Sequence, residues 1–257
     1  MSSEFVLETR NLVKEFKGFT AVDDVNLKVR RGHIHALIGP NGAGKTTVFN
    51  LLTKFLIPTR GQILFNDQDI TSMKSAAIAR MGIIRSFQIS AVFPHMTALE
   101  NVRVALQRFE GTSFHFWKSE QTLNKLNQRA YELLESVGLE DFADTVTVEL
   151  SYGRKRALEL ATTLAMEPEL VLLDEPTQGM GHEDVDRVVE LIRKAAVGRT
   201  VLMVEHNLSV VSKLCDRITV LTRGAVLTEG DYKAVSENPD VKTAYMGSDS
   251  AAIEGAH

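Results

Sequence analysis

The sequence IHALIGPNGAGKTT, from Ile34 to Thr47, decides the fold of this chain. Its first five residues, 34–38, are mostly apolar and predict a short buried strand. Residues 39–46 match the pattern G-x-x-x-x-G-K-[ST], a glycine-rich loop that wraps phosphate groups. Apolar residues at 48, 49, 51 and 52 then predict a helix. A strand, this loop and a helix in that order predict a site for a nucleoside triphosphate.

Each residue type in the loop has a chemical reason to be there. Glycines let the backbone curl so that successive N–H groups point at phosphate oxygens, and the start of the following helix adds its dipole. We expect Lys45 to reach the terminal phosphates and the Thr46 hydroxyl to bind Mg²⁺. The alternative is a glycine-rich turn that fits by chance, and the strand and helix on either side argue against it. The predicted nucleotide-binding residues are Gly39, Pro40, Asn41, Gly42, Ala43, Gly44, Lys45, Thr46 and Thr47.

Composition and charge exclude several classes of protein. The 257 residues carry 29 basic and 33 acidic side chains, a net charge of −4, so the basic patch that sequence-independent nucleic-acid binding needs is missing and no nucleic-acid partner is expected. A single cysteine, Cys215, excludes an intrachain disulfide and a cysteine-based zinc cage. Acidic residues at Glu4 and Glu8 and the lack of a ~20-residue apolar stretch predict neither a signal peptide nor a membrane span.

The order of strand and helix patterns predicts how the chain is organised. Strands and helices alternate before and after a purely helical segment, which predicts a largely parallel sheet covered on both faces. We predict one domain over residues 1–247, with a helical subdomain at about 89–156 inserted in it. At the N-terminus, apolar alternation near Phe5 and again from Val25 to Val29 predicts two strands joined by a turn. Residues 248–257 have no core-forming pattern and are expected to be a disordered tail.

Two adjacent acidic residues end a later strand. The apolar run 170–173 is followed by Asp174 and Glu175, and because side chains alternate along a strand the two acids can take different tasks. We expect Asp174 to hold Mg²⁺ and Glu175 to act as general base for the water that attacks the γ-phosphate. Two acids at a strand end are by themselves more typical of a helix cap or a solvated loop. The phosphate loop in the same chain favours catalysis.

The segment Leu150-Ser151-Tyr152-Gly153 lies 23 residues before Asp174. On its own, Ser151 would be the N-cap of the following helix. With the phosphate loop upstream and the acidic strand downstream, however, the chain resembles the ATP-binding cassette family, the ATPase subunits of ABC transporters. The resemblance extends from about residue 5 to residue 247. It implies an α/β P-loop NTPase fold with a mostly parallel core sheet, an N-terminal antiparallel β part and the inserted helical subdomain.

The resemblance also implies roles for further residues. It makes 39–46 the Walker A loop, 150–153 the family signature, and 170–175 Walker B with Glu175 as the catalytic glutamate. By the same resemblance, Gln88 contacts Mg²⁺ and the attacking water, and His206 contacts the γ-phosphate. Phe16 would stack on adenine and Val22 would flank it, whereas the alternative is that Phe16 only fills core. Ser151, Tyr152 and Gly153 would complete the ATP site of a second cassette in a head-to-tail dimer.

Two features depart from the family pattern or from simple expectation. Gly181 stands where the family commonly has an aspartate in the loop that crosses to the partner subunit. The basic run 154–156 lies in the first turn of a helix, where positive charge opposes the helix dipole. We expect these three side chains either to be solvated or to face the partner's triphosphate.

Within the family, the chain resembles the ATPase subunits of branched-chain amino acid importers. The stretches that carry this resemblance are RSFQISAVFPHMTALEN, LSYG, GMGHED, EHNLSVVSKLCDRITVL and EGDYKAVSENPDVKTAYMG. It implies integral membrane permease subunits and, indirectly, a periplasmic solute-binding protein as partners, and a peripheral location on the cytoplasmic face of the inner membrane. Related cassettes serve urea, other amides or lipopolysaccharide export. Two different classes also stay open: a soluble cassette that acts on DNA or the ribosome, and a module that binds ATP without turnover.

Overall fold

The computed structural model describes residues 3–86, 92–107 and 120–245. Strands and helices alternate along the chain, beginning with three strands, β1 (Phe5–Phe16), β2 (Phe19–Val25) and β3 (Lys28–Arg30). The sequence predicts only two strands here. The run from Val25 to Val29 is divided instead, because β2 pairs with the second half of β1 and β3 with its first half.

The remaining elements follow in a regular order. The strands are β4 (Ile34–Ile38), β5 (Arg60–Phe65), β6 (Gln68–Asp69), β7 (Ile83–Ser86), β8 (Leu170–Asp174), β9 (Thr200–Val204), β10 (Arg217–Thr222) and β11 (Ala225–Gly230). The helices are α1 (Lys45–Leu52), α2 (Ser75–Arg80), α3 (Ala98–Leu106), α4 (Glu120–Ser136), α5 (Tyr152–Leu164), α6 (His182–Ala195), α7 (Leu208–Leu214) and α8 (Tyr232–Glu237). Two short 3₁₀ turns, Glu140–Phe142 and Thr147–Glu149, lie between α4 and α5.

A six-stranded sheet forms the centre of the molecule, in the order β11-β10-β4-β9-β8-β7. The five strands from β10 to β7 are parallel, and β11 is antiparallel to β10. A second, antiparallel sheet is built from β2-β1-β5-β6 with β3 also paired to β1. The predicted α/β fold, with a mostly parallel core sheet and an antiparallel N-terminal part, is therefore confirmed.

The sheet is held by apolar clusters on both of its faces. Strands β4, β8 and β9 are buried at every position, as expected of central parallel strands covered on both sides. Because β4, β8 and β9 are adjacent and parallel, the loops that follow their carboxyl ends meet at one edge. Ligands bind at this edge in open α/β sheets.

The helices between β7 and β8 pack around an apolar cluster of their own. A capping box starts α3, since Thr97 and Glu100 each bond the other's backbone N–H. The cluster includes Val102 of α3, Leu134 of α4 and Leu158 of α5, all fully buried, and continues to Ala165. The apolar cluster therefore extends beyond residue 156, the predicted end of the helical subdomain, because α5 contributes to the cluster along its length. Among the described residues, no helix combines the length and the apolarity needed to cross a membrane.

Candidate functional site

The glycine-rich loop lies between β4 and α1, and two of its glycines cannot be replaced without a clash. Gly39 has φ +149°, and a Cβ there would lie 2.2 Å from the Leu221 carbonyl oxygen. Gly44 has φ +98°, and a Cβ would lie 2.5 Å from the Ala21 carbonyl oxygen. No side chain caps the start of α1, so the N–H groups of its first turn are available to a phosphate group.

Lys45 is a buried cation beside this loop. Its Nζ donates hydrogen bonds to the carbonyl oxygens of Gly39, at 2.7 Å, and Pro40, at 3.0 Å. Burial lowers the pKa of Lys45, and the negative charge of Glu175 opposes that shift. Thr46, the next residue, is exposed. The loop thus holds an ammonium group whose present partners are neutral carbonyls, and a phosphate anion can compete with these for its protons.

Asp174 ends β8 and forms an ion pair with Arg85 of the neighbouring strand β7. Both side chains are largely buried. Arg85 Nη1 also donates to Asn50 Oδ1 of α1 at 2.7 Å, and its guanidinium lies over the rings of Phe49 and Phe55. The carboxylate predicted to hold Mg²⁺ is therefore attached to the helix that follows the phosphate loop through a single arginine.

Glu175 and His206 lie in contact across the ends of β8 and β9. His206 Nε2 is 2.6 Å from Glu175 Oε1. The Glu175 N–H donates to the Val204 carbonyl at 2.9 Å, and Glu175 has the left-handed φ of +47°. A non-glycine residue holds such a backbone conformation only where its surroundings impose it. The structure thus brings together Lys45, Glu175 and His206, which are far apart in the sequence.

The remaining predicted nucleotide contacts are placed differently. Phe16 ends β1 with 41% of its surface exposed, and Lys14 Nζ lies 5.0 Å from the centre of its ring. Val22 is 0% exposed and packs in the core. The expectation that Val22 flanks the adenine is therefore corrected, since it has no surface to offer a base. Gln88 lies outside the described residues, as does the predicted tail at 248–257.

The signature segment leads into α5, and its Ser151 is exposed. Ser151 occupies the N-cap position, yet its side chain makes no capping hydrogen bond. Ser151 and Gly153 line a cleft shared with α6 residues such as Asp184 and Arg187, and none of the residues 39–47 lines that cleft. Ser151 is thus available to a ligand in this cleft. The chain's own phosphate loop does not line the cleft.

The side chains around the signature bond within the same chain. Tyr152 Oη donates to the Gln178 carbonyl at 3.4 Å and accepts a hydrogen bond from Arg156 Nη2 at 3.1 Å. The three basic residues, expected to be solvated or to face a partner's triphosphate, make contacts within the chain, and Arg154 is exposed whereas Arg156 is largely buried. The Arg154 guanidinium lies 3.8 Å from the centre of the Phe142 ring, Lys155 Nζ bonds the Val148 carbonyl at 3.1 Å, and Arg156 pairs with Glu159 at 2.7 Å.

Gly181 takes the N-cap position of α6 in extended conformation, without a side-chain cap. Nothing lies within 4 Å of where its Cβ would be. Space for a larger residue is therefore present in this chain, and packing does not explain the glycine.

Two contributors to the site are missed by reasoning from the sequence. Arg85 looks like an ordinary strand residue, although an arginine directly after the buried pair Ile83 and Ile84 is a signal that it has an acidic partner. Glu205 stands beside His206 and is 3% exposed. Its two hydrogen bonds to Thr177 depend on the approach of β8 and β9, which no local pattern encodes, whereas its bonds to the N–H groups of His206 and Asn207 are local.

Known proteins match this chain over nearly all of its length. A family model described as ABC transporter matches residues 22–178. The high-affinity branched-chain amino acid transport ATP-binding protein BraF of Pseudomonas aeruginosa is 39% identical over 252 residues, covering 94% of this chain and 98% of that protein. The crystal structure of MJ1267, an ATP-binding cassette of an ABC transporter in its ADP conformation, is 30% identical with a TM-score of 0.82, covering 95% and 100%. A dimeric post-hydrolysis structure of the cassette MJ0796 with ADP and Pi is 27% identical with a TM-score of 0.72, covering 88% and 98%.

Proposed function

This chain belongs to the ABC transporter family, and we propose that its ATP hydrolysis drives the import of branched-chain amino acids through separate membrane subunits. It is an ATP-binding cassette ATPase, as its family match and its relatives show. The observation that carries the hydrolytic assignment is the 2.6 Å contact between His206 and Glu175 beside the phosphate loop. The names and coverage of the relatives support the substrate class.

Hydrolysis at this site needs a proton acceptor and positive charge. Glu175 accepts the proton of the attacking water, and its contact with His206 fixes its direction. Lys45 leaves the Gly39 and Pro40 carbonyls for the phosphate oxygens, where a cation stabilises developing charge. His206, more exposed than Glu175, can also contact the γ-phosphate.

The residues present suit Mg²⁺ carried in with the nucleotide. Mg²⁺ is usually held by one or two protein oxygens together with phosphate oxygens, and the described residues contain no cluster of three or more His, Cys, Asp or Glu that could hold a metal by itself. Thr46 offers an exposed hydroxyl and Asp174 a carboxylate that Arg85 already orients. Gln88 is the third proposed ligand. When bound, the ion would neutralise charge on the phosphates.

The proposed adenine contact is Phe16. Its exposed ring stands at the tip of the β1–β2 hairpin, where Phe16 pairs with Phe19. An exposed aromatic face stacks on a base without reading its hydrogen-bonding edge.

We propose that two cassettes assemble head to tail, each completing the other's ATP site. The exposed Ser151 hydroxyl and the free N–H groups at the start of α5 suit a γ-phosphate. The cleft in which Ser151 lies is not lined by this chain's own phosphate loop. A two-fold interface is self-complementary, so each chain both gives and receives a signature.

Mixing two inactive variants tests the shared site. We expect Lys45→Ala and Ser151→Arg each to be inactive alone, whereas an equal mixture recovers up to about a quarter of the wild-type rate, because half of randomly formed dimers are mixed and each mixed dimer has one intact site. Phosphate release from the separate and mixed preparations measures this. No recovery in a mixture shown by light scattering to be dimeric contradicts the shared site.

The surface proposed to contact the membrane subunits is the segment 88–100, of which the structure describes residues 92–100. Phe93 is 51% exposed and Met96 is 37% exposed. The Asn101 side chain holds the backbone of Phe93 from both sides, accepting from its N–H at 2.7 Å and donating to its carbonyl at 3.1 Å. Two large apolar side chains exposed on a backbone segment held in this way suit an interface. The burial of Phe93 in the helical cluster, the alternative, does not fit its exposure.

Uptake by the assembled transporter in vesicles tests substrate and docking together. We expect ATP-dependent uptake of leucine, isoleucine or valine and none of urea.

Phe93→Asp is expected to abolish uptake while the free chain keeps its melting temperature within about 2 °C, since the side chain is on the surface. Urea uptake, or an unaltered leucine uptake in Phe93→Asp, contradicts the respective proposal.

The proposed location is peripheral, on the cytoplasmic face of the inner membrane, where the permease subunits hold the chain. A periplasmic solute-binding protein would deliver the amino acid to those subunits on the other side. The relatives that are transport ATP-binding proteins support this arrangement.

A further inference from the structure

Glu205 is a buried carboxylate that joins the two loops carrying Glu175 and His206. One oxygen, Oε1, accepts from both the backbone N–H of Thr177, at 3.1 Å, and its hydroxyl. The other, Oε2, accepts from the backbone N–H groups of His206, at 2.9 Å, and Asn207, at 3.0 Å. Four donors thus reach one carboxylate that is 3% exposed.

Each of the two loops is also held independently of Glu205. Asn207 caps α7 through its side chain, which accepts from the N–H groups of Ser209 and Val210. On the other loop, the Glu175 N–H bonds the Val204 carbonyl. The Glu205 carboxylate is therefore a cross-link between two loops that have their own attachments, and it fixes the distance between them.

We infer that Glu205 is a positioning residue for hydrolysis, holding the His206 backbone and the Thr177 loop together so that His206 stays in contact with Glu175. Glu205 itself does not face the nucleotide, because its carboxylate is enclosed by its four donors. A charged acceptor suits this task, since hydrogen bonds to an ionised carboxylate are roughly twice as strong as neutral ones. The inference rests on the proposed role of Glu175 and His206 in hydrolysis.

Glu205→Gln tests the cross-link with almost no change in volume. Whichever way the amide turns, its NH₂ group faces at least one backbone N–H that now donates to the carboxylate, so the hydrogen bonding at one end of the cross-link is weakened. In the full-length chain we expect kcat to fall about 10-fold or more, which is part of the roughly 10²–10⁴-fold that a positioned general base contributes. The Kd for a fluorescent ATP analogue is expected to stay within about twofold, since the phosphate loop is not touched.

The imidazole NMR signal of His206 gives a second readout. A general loss of protein stability would not change the chemical shift of this signal in the folded protein. The chain has seven histidines, and the signal is identified by its loss in His206→Ala. We expect Glu205→Gln to shift it in the direction seen in Glu175→Gln, where the partner is altered directly. An unchanged kcat, an unchanged His206 signal or a large loss of ATP affinity would each overturn the inference.

Thr177→Val is the second variant, because it removes one hydroxyl from the cross-link and folds even if Glu205→Gln does not. Its matched control is Thr163→Val in α5, where a buried hydroxyl bonds the Glu159 carbonyl at 2.8 Å. We expect Thr177→Val alone to lower kcat and move the His206 signal. If Glu175→Gln leaves hydrolysis intact, the proposed function fails; if it stops hydrolysis and both Glu205→Gln and Thr177→Val are inert, only the inference fails.

Discussion

Lys45→Ala is expected to eliminate tight ATP binding and all measurable turnover. The substitution removes the cation that now bonds the Gly39 and Pro40 carbonyls and that a triphosphate would recruit. One charge-assisted hydrogen bond contributes about 1.5–3 kcal/mol, which corresponds to roughly 10- to 100-fold in affinity. Loss of a charge-stabilising group in the transition state removes a further factor of about 10²–10³ in rate.

Lys54→Ala is the matched control for this experiment. Lys54 follows α1, bonds the Thr71 carbonyl at 3.0 Å, and has its pKa lowered to about 8 by burial. It is thus a half-buried lysine outside the phosphate loop. Equilibrium binding of labelled ATP and phosphate release are measured on both variants. Wild-type hydrolysis by purified Lys45→Ala would show that the phosphate loop is not the site.

The fold can be predicted because local patterns are strong in its central strands. Residues 34–38 and 170–173 are mostly or wholly apolar, and both form fully buried strands. The N-terminal part is harder, since the run from Val25 to Val29 has one alternating pattern but belongs to two strands. Pairing with different halves of β1 divides it, and pairing is a long-range property.

Much of the candidate site can also be predicted, although its internal contacts cannot. Motif order and chemistry select Lys45, Glu175 and His206, and the fold brings them together. Arg85 escapes sequence reasoning because its partner Asp174 lies 89 residues away. Glu205 escapes it for the same reason, since its cross-link exists only when β8 and β9 are side by side.

Val22 shows the limit of carrying a role over by resemblance. The resemblance places it beside the adenine together with Phe16. Val22 in fact packs its side chain into the core that supports the β1–β2 hairpin. Spacing along a strand fixes which face a residue occupies, but burial depends on what covers that face.

Glu175→Gln is expected to keep ATP affinity within about twofold of wild type and to lower hydrolysis by about 10²–10⁴, the usual contribution of a general base. The amide preserves the shape of the side chain and its contact with His206 Nε2, now 2.6 Å from Glu175 Oε1. It cannot take a proton from water at neutral pH. Binding and chemistry are therefore separated at this one position.

The most direct measurement follows both quantities in one preparation of the Glu175→Gln chain. Labelled ATP and Mg²⁺ are added, and bound nucleotide and released phosphate are recorded together. ATP that stays bound and uncleaved is the predicted result. Phosphate release at the wild-type rate would contradict the assignment of Glu175 as the general base. Loss of ATP binding together with activity would show that Glu175 has a structural role instead.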